Sequence, residues 1–179
     1  GISFFNALTT SYMNYADSSG YDVWAMYKTD FTLNTSNKFL NNASARKTAV
    51  ETLIKYACKY KIDGINFDFE NMYTSNRDMF TKHLREVTLA MHEMGLFVSA
   101  DVTRKDVTSS VWSMCYDRNA IAETADYVML MAYDEYYAGS KTAGSVASMG
   151  WTEDTIKKTL SEVPAQKLVL GIPFYMRYW

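Results

Sequence analysis

Short apolar runs alternate along the chain with longer stretches in which apolar residues recur every three or four positions. The runs at 2–5, 22–26, 64–69, 97–101, 127–131 and 168–171 have the length and the β-branched or aromatic content of strands. Ala49, Val50, Leu53, Ile54 and Ala57 mark a helix over 44–60. Similar spacing predicts helices over 12–18, 77–94, 118–124 and 152–161. Gly20 and Gly95 read as helix stops, and Ser75 or Asn76 as the cap of the 77–94 helix. The segment between the second strand and the 44–60 helix reads as a polar loop. Pro164 leads into the last strand.

Strands that alternate with helices imply a parallel sheet. These strands are almost wholly apolar, as expected where helices cover the sheet or where it closes into a barrel. The fold class is therefore α/β. The leading reading is a (β/α)8 TIM barrel, with a doubly wound open sheet second. No glycine-rich phosphate loop follows the first strand, which weakens the dinucleotide-binding form of the open sheet. No linker or low-complexity segment divides the chain, so residues 1–179 form a single domain.

The polar positions carry the chemistry. In D-G-I-N-F-D-F-E at 63–70, strand alternation turns Asn66, Asp68 and Glu70 one way and Ile65, Phe67 and Phe69 the other. Two carboxylates on one buried face are costly unless something uses them. Asp101, Tyr133 and Asp134 also fall at strand ends. In a parallel barrel all of these lie at the carboxyl face, where such enzymes keep their sites. Residues two apart on a strand sit roughly 6.5–7 Å from one another, so Asp68 and Glu70 line one pocket, with Glu70 nearer the mouth. Burial and a neighbouring charge keep Glu70 protonated as a general acid while Asp68 stays charged. A glycosidase is the first reading. A metal hydrolase using Asp68, Glu70 and Asp101 is second, weakened because His83 and His92 both fall on a helix.

Composition narrows the partners. A net charge of −2 gives no footprint for nucleic acid or an anionic membrane. No apolar run reaches the roughly 18 residues of a membrane-spanning helix. The 14 tyrosines suit either stacking on sugars or a tyrosine-rich core. Trp24, Trp112, Trp151 and Trp179 are candidate sugar platforms, with packing favoured for each. Cys58 and Cys115 read as reduced thiols. Gly64 is assigned no chemistry.

The 63–70 segment resembles the D-G-x-D-x-D-x-E signature of the family-18 glycoside hydrolases, which are chitinase-like (β/α)8 barrels. M-A-Y-D at 131–134 is similar to their Met-x-Tyr-Asp strand end, and G-I-P-F-Y-M-R at 171–177 to the strand ending in Tyr-x-Arg. F-E-N at 69–71 and A-Y-D-E-Y-Y-A-G at 132–139 resemble a bacterial branch of spore-cortex-lytic and cell-wall N-acetylglucosaminidases. The resemblance implies substrate-assisted, retaining hydrolysis of β-1,4-linked N-acetylglucosamine glycans, of peptidoglycan or chitin type. Glu70 matches the acid, and Asp68 the residue that orients the substrate's N-acetyl group. Tyr133 matches the hydroxyl bonded to that group, although a core tyrosine bonded to a backbone carbonyl stays open for it. Asn66, Asp134, Tyr175 and Arg177 match substrate-binding positions. No cofactor and no metal are implied, and the expected location is secreted, cell-wall or spore-associated. A non-catalytic sugar-binding module of the same fold is the alternative.

Two departures follow from the match. Asn66 stands where the signature usually has an inner aspartate, and its amide is expected to donate to Asp68 and keep that carboxylate ionised to lower pH. The chain also aligns with barrel strands 2 to 7 only, while a whole barrel takes about 250 residues. It is expected to be a fragment with open sheet edges that favour self-association and leave activity of the isolated chain doubtful.

Overall fold

The structure, a computed structural model, describes residues 9–179. The strand expected at 2–5 lies outside the described residues. In order, the elements are α1 (Thr10–Ser19), β1 (Trp24–Lys28), α2 (Leu33–Leu40), α3 (Ala43–Tyr60), β2 (Gly64–Asp68), α4 (Arg77–His92), β3 (Phe97–Thr103), α5 (Arg118–Thr124), β4 (Tyr127–Met131), α6 (Met149–Leu160) and β5 (Leu168–Gly171). Single 3-10 turns precede α4 and β5.

Among the described residues the five strands pair in the order β1-β2-β3-β4-β5, and every pair is parallel. That order decides between the two architectures. A doubly wound sheet reverses its strand order at a switch point, whereas each new strand here is added on the same side of the last. The arrangement is that of a partial (β/α)8 barrel.

Side-chain alternation then fixes the two faces. Ala25, Tyr27, Ile65, Phe67, Val98, Ala100, Val102, Val128 and Leu130 turn outward and are buried beneath the helices. Their partners include Phe80, Leu84, Val87 and Met91 of α4, at helical spacing along one stripe. Trp24, Asn66, Asp68, Ser99 and Asp101 turn inward.

A repeated device sets the strand starts. Asp63, just before β2, accepts the Val23 N–H on Oδ2 at 2.7 Å and donates its own N–H to the Val23 carbonyl at 2.9 Å. Asp126, just before β4, does the same to Val98, at 2.7 and 2.9 Å. The first aspartate of the 63–70 segment thus anchors the amino end of its strand, at the opposite end from Glu70.

Two expectations need correction. The supposed polar loop contains α2. Its inward face is Ser36, Phe39 and Leu40, too few apolar residues to show a helical period, and Thr32 caps it by accepting the Thr35 N–H. The strand expected at 22–26 begins at Trp24, because Val23 is held by Asp63 before the ladder to β2 starts.

Candidate active site

The barrel interior is built in layers. At the amino end Trp24 stacks on Phe97 with ring centroids 5.6 Å apart and tilts against Tyr127 at 5.7 Å. Gly64 lies among these rings, and a Cβ there would come within 2.8 Å of the indole. One layer up, Asn66 and Ser99 are register partners on β2 and β3. The Ser99 hydroxyl donates to Asn66 Oδ1, and Asn66 Nδ2 donates to Asp101 Oδ2 at 2.9 Å. Above them Phe67 pairs with Ala100, so the next residues, Asp68 and Asp101, stand level on adjacent strands. Lys28 pairs with Asp68 from the other side. Glu70 follows just beyond the carboxyl end of β2.

The interior desolvates this cluster. Burial raises the pKa of Glu70 above the ordinary carboxyl value, the charges of Asp68 and Asp134 raise it further, and Lys28 opposes. Burial also raises Asp68, against Lys28. Asp101 is pushed up to about 7, chiefly by burial; the Asn66 hydrogen bond opposes this while the charges of Asp68 and Glu70 add to it.

These facts correct the reading of Asn66. Its amide donates to Asp101 and not to Asp68, because a neighbouring strand lies about 4.8 Å away while the next inward position on its own strand is some 7 Å off. Asp68 consequently lacks the donor expected to hold it ionised, and its pKa moves up. Asp68 is only 8% exposed, and its Oδ1 is buried with no hydrogen-bond partner among the described residues.

Tyr133 follows β4. Its ring meets that of Tyr175 edge-on at 6.3 Å, and among the described residues its hydroxyl has no hydrogen-bond partner. A core tyrosine tied to a backbone carbonyl is not what is found. Burial pushes this phenol up to about 12, with the charges of Asp101, Asp68 and Glu70 adding, so it faces the acid cluster. Asp134, at φ 63, accepts from Arg177 Nη2 at 2.6 Å and from the Tyr175 hydroxyl at 2.8 Å. Six of the seven residues singled out from the sequence therefore lie at or just beyond the carboxyl ends of β2, β4 and β5, and Asn66 lies beneath them in the middle of β2.

Glu70 and Asp134 open onto a cleft of about 750 Å³ that Trp112, Tyr137, Trp151 and Arg104 also line. Two of the four tryptophans thus stand in the cleft. Trp24 belongs to the barrel floor, and Trp179 donates to the Gly144 carbonyl at 3.2 Å. Asp101 is the residue whose importance the sequence understated. Expected at a strand end, it lies inside β3, because that strand runs on through Val102 to Thr103. Among the described residues no three His, Cys, Asp or Glu side chains come together as a metal cluster. Cys58 and Cys115 are free thiols, the first exposed and the second buried.

A parallel barrel with stacked carboxyl groups beneath an aromatic-walled cleft defines a glycosidase-type architecture. The chain belongs to the glycosyl hydrolases family 18, which matches residues 26–179. Similar proteins include the uncharacterized glycosylase YvbX of Bacillus subtilis (strain 168), 29% identical over 178 residues, covering 95% of this chain and 52% of that protein. The cortical fragment-lytic enzyme of the same organism is 30% identical over 142 residues, covering 78% of this chain and 33% of that one. Among solved structures, a chitinase from Chromobacterium violaceum superposes with a TM-score of 0.83 at 25% identity, covering 92% of this chain and 53% of that one. The chain thus spans from about a third to about half the length of these relatives.

Proposed function

We propose that the protein hydrolyses β-1,4-linked glycans containing N-acetylglucosamine by substrate-assisted, retaining catalysis, with peptidoglycan preferred to chitin. The observation that carries this reading is the orphan Oδ1 of Asp68, buried two residues before Glu70, which itself lines the cleft. A buried acceptor without a donor calls for one from outside the chain, and the N–H of a substrate acetamido group is a donor of the right kind.

Glu70, whose hold on its proton is raised by burial and by the charges of Asp68 and Asp134, gives that proton to the glycosidic oxygen as the bond from C1 to that oxygen breaks. The acetamido carbonyl oxygen of the same sugar bonds to C1 and forms an oxazolinium. Asp68 accepts the acetamido N–H and stabilises the positive charge, and the Tyr133 hydroxyl donates to the acetamido oxygen. Water then attacks C1, Glu70 takes its proton, and the ring opens with the original configuration restored. Asp134, Tyr175 and Arg177 hold the sugar at the rim, and Asn66 braces the acid cluster from below. Trp112 and Trp151 offer faces for stacking. The preference for peptidoglycan, with spore or cell-wall association, rests on likeness to a relative named for cortical fragments.

The test compares a fluorogenic N,N′-diacetylchitobioside with the cellobioside that lacks the acetamido groups, using the intact protein. Hydrolysis confined to the acetamido substrate is expected, and equal rates on both would exclude substrate assistance. Binding of the chitobioside without hydrolysis would make the cleft a sugar-binding site instead.

A further inference from the structure

We propose that Tyr116 is a positioning residue for Glu70: its buried hydroxyl holds the carbonyl of Phe69 and so fixes the peptide from which the acid projects. The inference rests on the proposed role of Glu70 as acid and assigns a task to a side chain outside that mechanism.

Both sheet ladders stop short of the acid. The last β2 residue in register with β3 is Phe67, and the last in register with β1 is Asp68. Phe69 is fully buried, so its carbonyl needs a donor from beyond the sheet. The Tyr116 hydroxyl donates to it at 2.8 Å. That carbonyl and the Glu70 nitrogen belong to one planar peptide unit, so holding the oxygen sets the direction in which Glu70 leaves the backbone. Past Glu70, Asn71 turns the chain at φ 53, and the Met72 N–H donates to the Val111 carbonyl at 3.1 Å. The acid is thus bracketed on both sides by the segment between β3 and α5.

That segment is itself tied down. Arg118, buried at the start of α5, places Nη2 at 2.9, 3.1 and 3.1 Å from the carbonyl oxygens of Thr103, Arg104 and Ser113. The Thr103 hydroxyl donates to the Trp112 carbonyl at 2.7 Å. The Tyr116 ring stands edge-on to Phe80 at 6.0 Å, and Phe80 packs on Phe69 at 5.7 Å. Arg104, Asp106, Ser109 and Trp112 of the same segment line the cleft, so one loop both walls the cleft and seats the acid.

Tyr116→Phe removes the hydroxyl and leaves the ring. Its kcat/KM is read on two substrates, with folding checked by circular dichroism. One is a chito-oligosaccharide, whose leaving group is a sugar alcohol that needs a proton; the other is a dinitrophenyl chitobioside, whose phenolate departs without one. A misplaced acid slows the first and spares the second, whereas a loosened fold slows both alike. The expected loss is about 10- to 100-fold on the oligosaccharide and within about threefold on the dinitrophenyl substrate. Equal losses on both, or none on either, would overturn the inference. Glu70→Gln is expected to show the same selectivity, and Tyr116→Phe added to it no further selective loss. The 13C signal of the Glu70 side-chain carboxyl reads its placement without turnover. In Tyr116→Phe it is expected to shift or broaden while that of Asp126, at the amino end of the barrel, stays. An unmoved Glu70 signal overturns the inference even in an inactive protein. A moved one without Glu70-dependent hydrolysis counts against the proposed reaction and not against Tyr116.

Discussion

The Tyr27 hydroxyl lies 2.9 Å from His83 Nε2 in the core between β1 and α4, while Nδ1 of the same ring lies 3.3 Å from the acceptor oxygen Oε2 of Glu86. Nδ1 therefore carries the proton of a neutral imidazole. Arg46 donates to the same Glu86 oxygen from Nε at 3.0 Å and to Oε1 from Nη2 at 3.2 Å. Phe39, Phe67 and Phe69 pack around the ring, and burial drives the His83 pKa down to about 4. His83 is thus a structural histidine with a consequence for pH.

Between pH 4 and 6.5 the unfolded chain protonates His83 and the folded chain does not, so this group makes stability fall as pH falls. Asp101 acts with the opposite sign. Its folded pKa of about 7 exceeds the unfolded value of 3.8, so the folded chain holds the extra proton and stability falls as pH rises through that window. Each full proton difference changes the slope by about 1.4 kcal/mol per pH unit. Urea unfolding at a series of pH values is expected to show His83→Gln shifting the slope against pH downward and Asp101→Asn shifting it upward. Shifts of the same sign in the two variants would contradict the assignment.

Gly64 is needed for space. An added methyl group would sit 2.8 Å from the Trp24 ring and 3.0 Å from the Phe97 carbonyl oxygen. Gly64→Ala is expected to cost about 1–3 kcal/mol, read as a lower denaturant midpoint, and Trp24→Leu in the same background should recover part of that loss. Equal destabilisation by Gly64→Ala with and without the indole would remove the packing explanation.

Most of the frame was legible because a barrel strand buried on both sides is an apolar run of definite length, and the helices between keep a period of 3.6 residues. The runs at 127–131 and 168–171 and the helix at 118–124 match β4, β5 and α5 residue for residue. What escaped depended on contacts across the sheet. The α2 face borrows its burial from Ser36, which no hydropathy pattern marks. Asn66 was read against its own strand, and only the β2–β3 register shows that Asp101 is its nearest acceptor. The cleft tryptophans share nothing in sequence that separates them from Trp24 in the floor.

Tyr133 and Arg177 are expected to separate in kinetics. Tyr133→Phe removes a hydroxyl that faces the acid cluster and leaves the ring against Tyr175, so kcat should fall by roughly 10- to 100-fold with KM little changed, as for an interaction made in the transition state. Arg177→Met frees Asp134 at the cleft and should act mainly on KM, by about tenfold. Steady-state kinetics with the chitobioside reads both. A Tyr133→Phe variant that changes KM alone would reassign the hydroxyl to binding.

Glu70→Gln keeps the size and a hydrogen-bonding group but removes the proton that, in the proposed reaction, leaves with the glycosidic oxygen. The decisive measurement is kcat/KM of the intact protein and of this variant on the fluorogenic N,N′-diacetylchitobioside, with matching circular dichroism spectra. Loss of the general acid is expected to lower kcat/KM by about 10²- to 10⁴-fold. Turnover by the variant within threefold of the parent would show that another group delivers the proton and that the acid of this barrel is not Glu70.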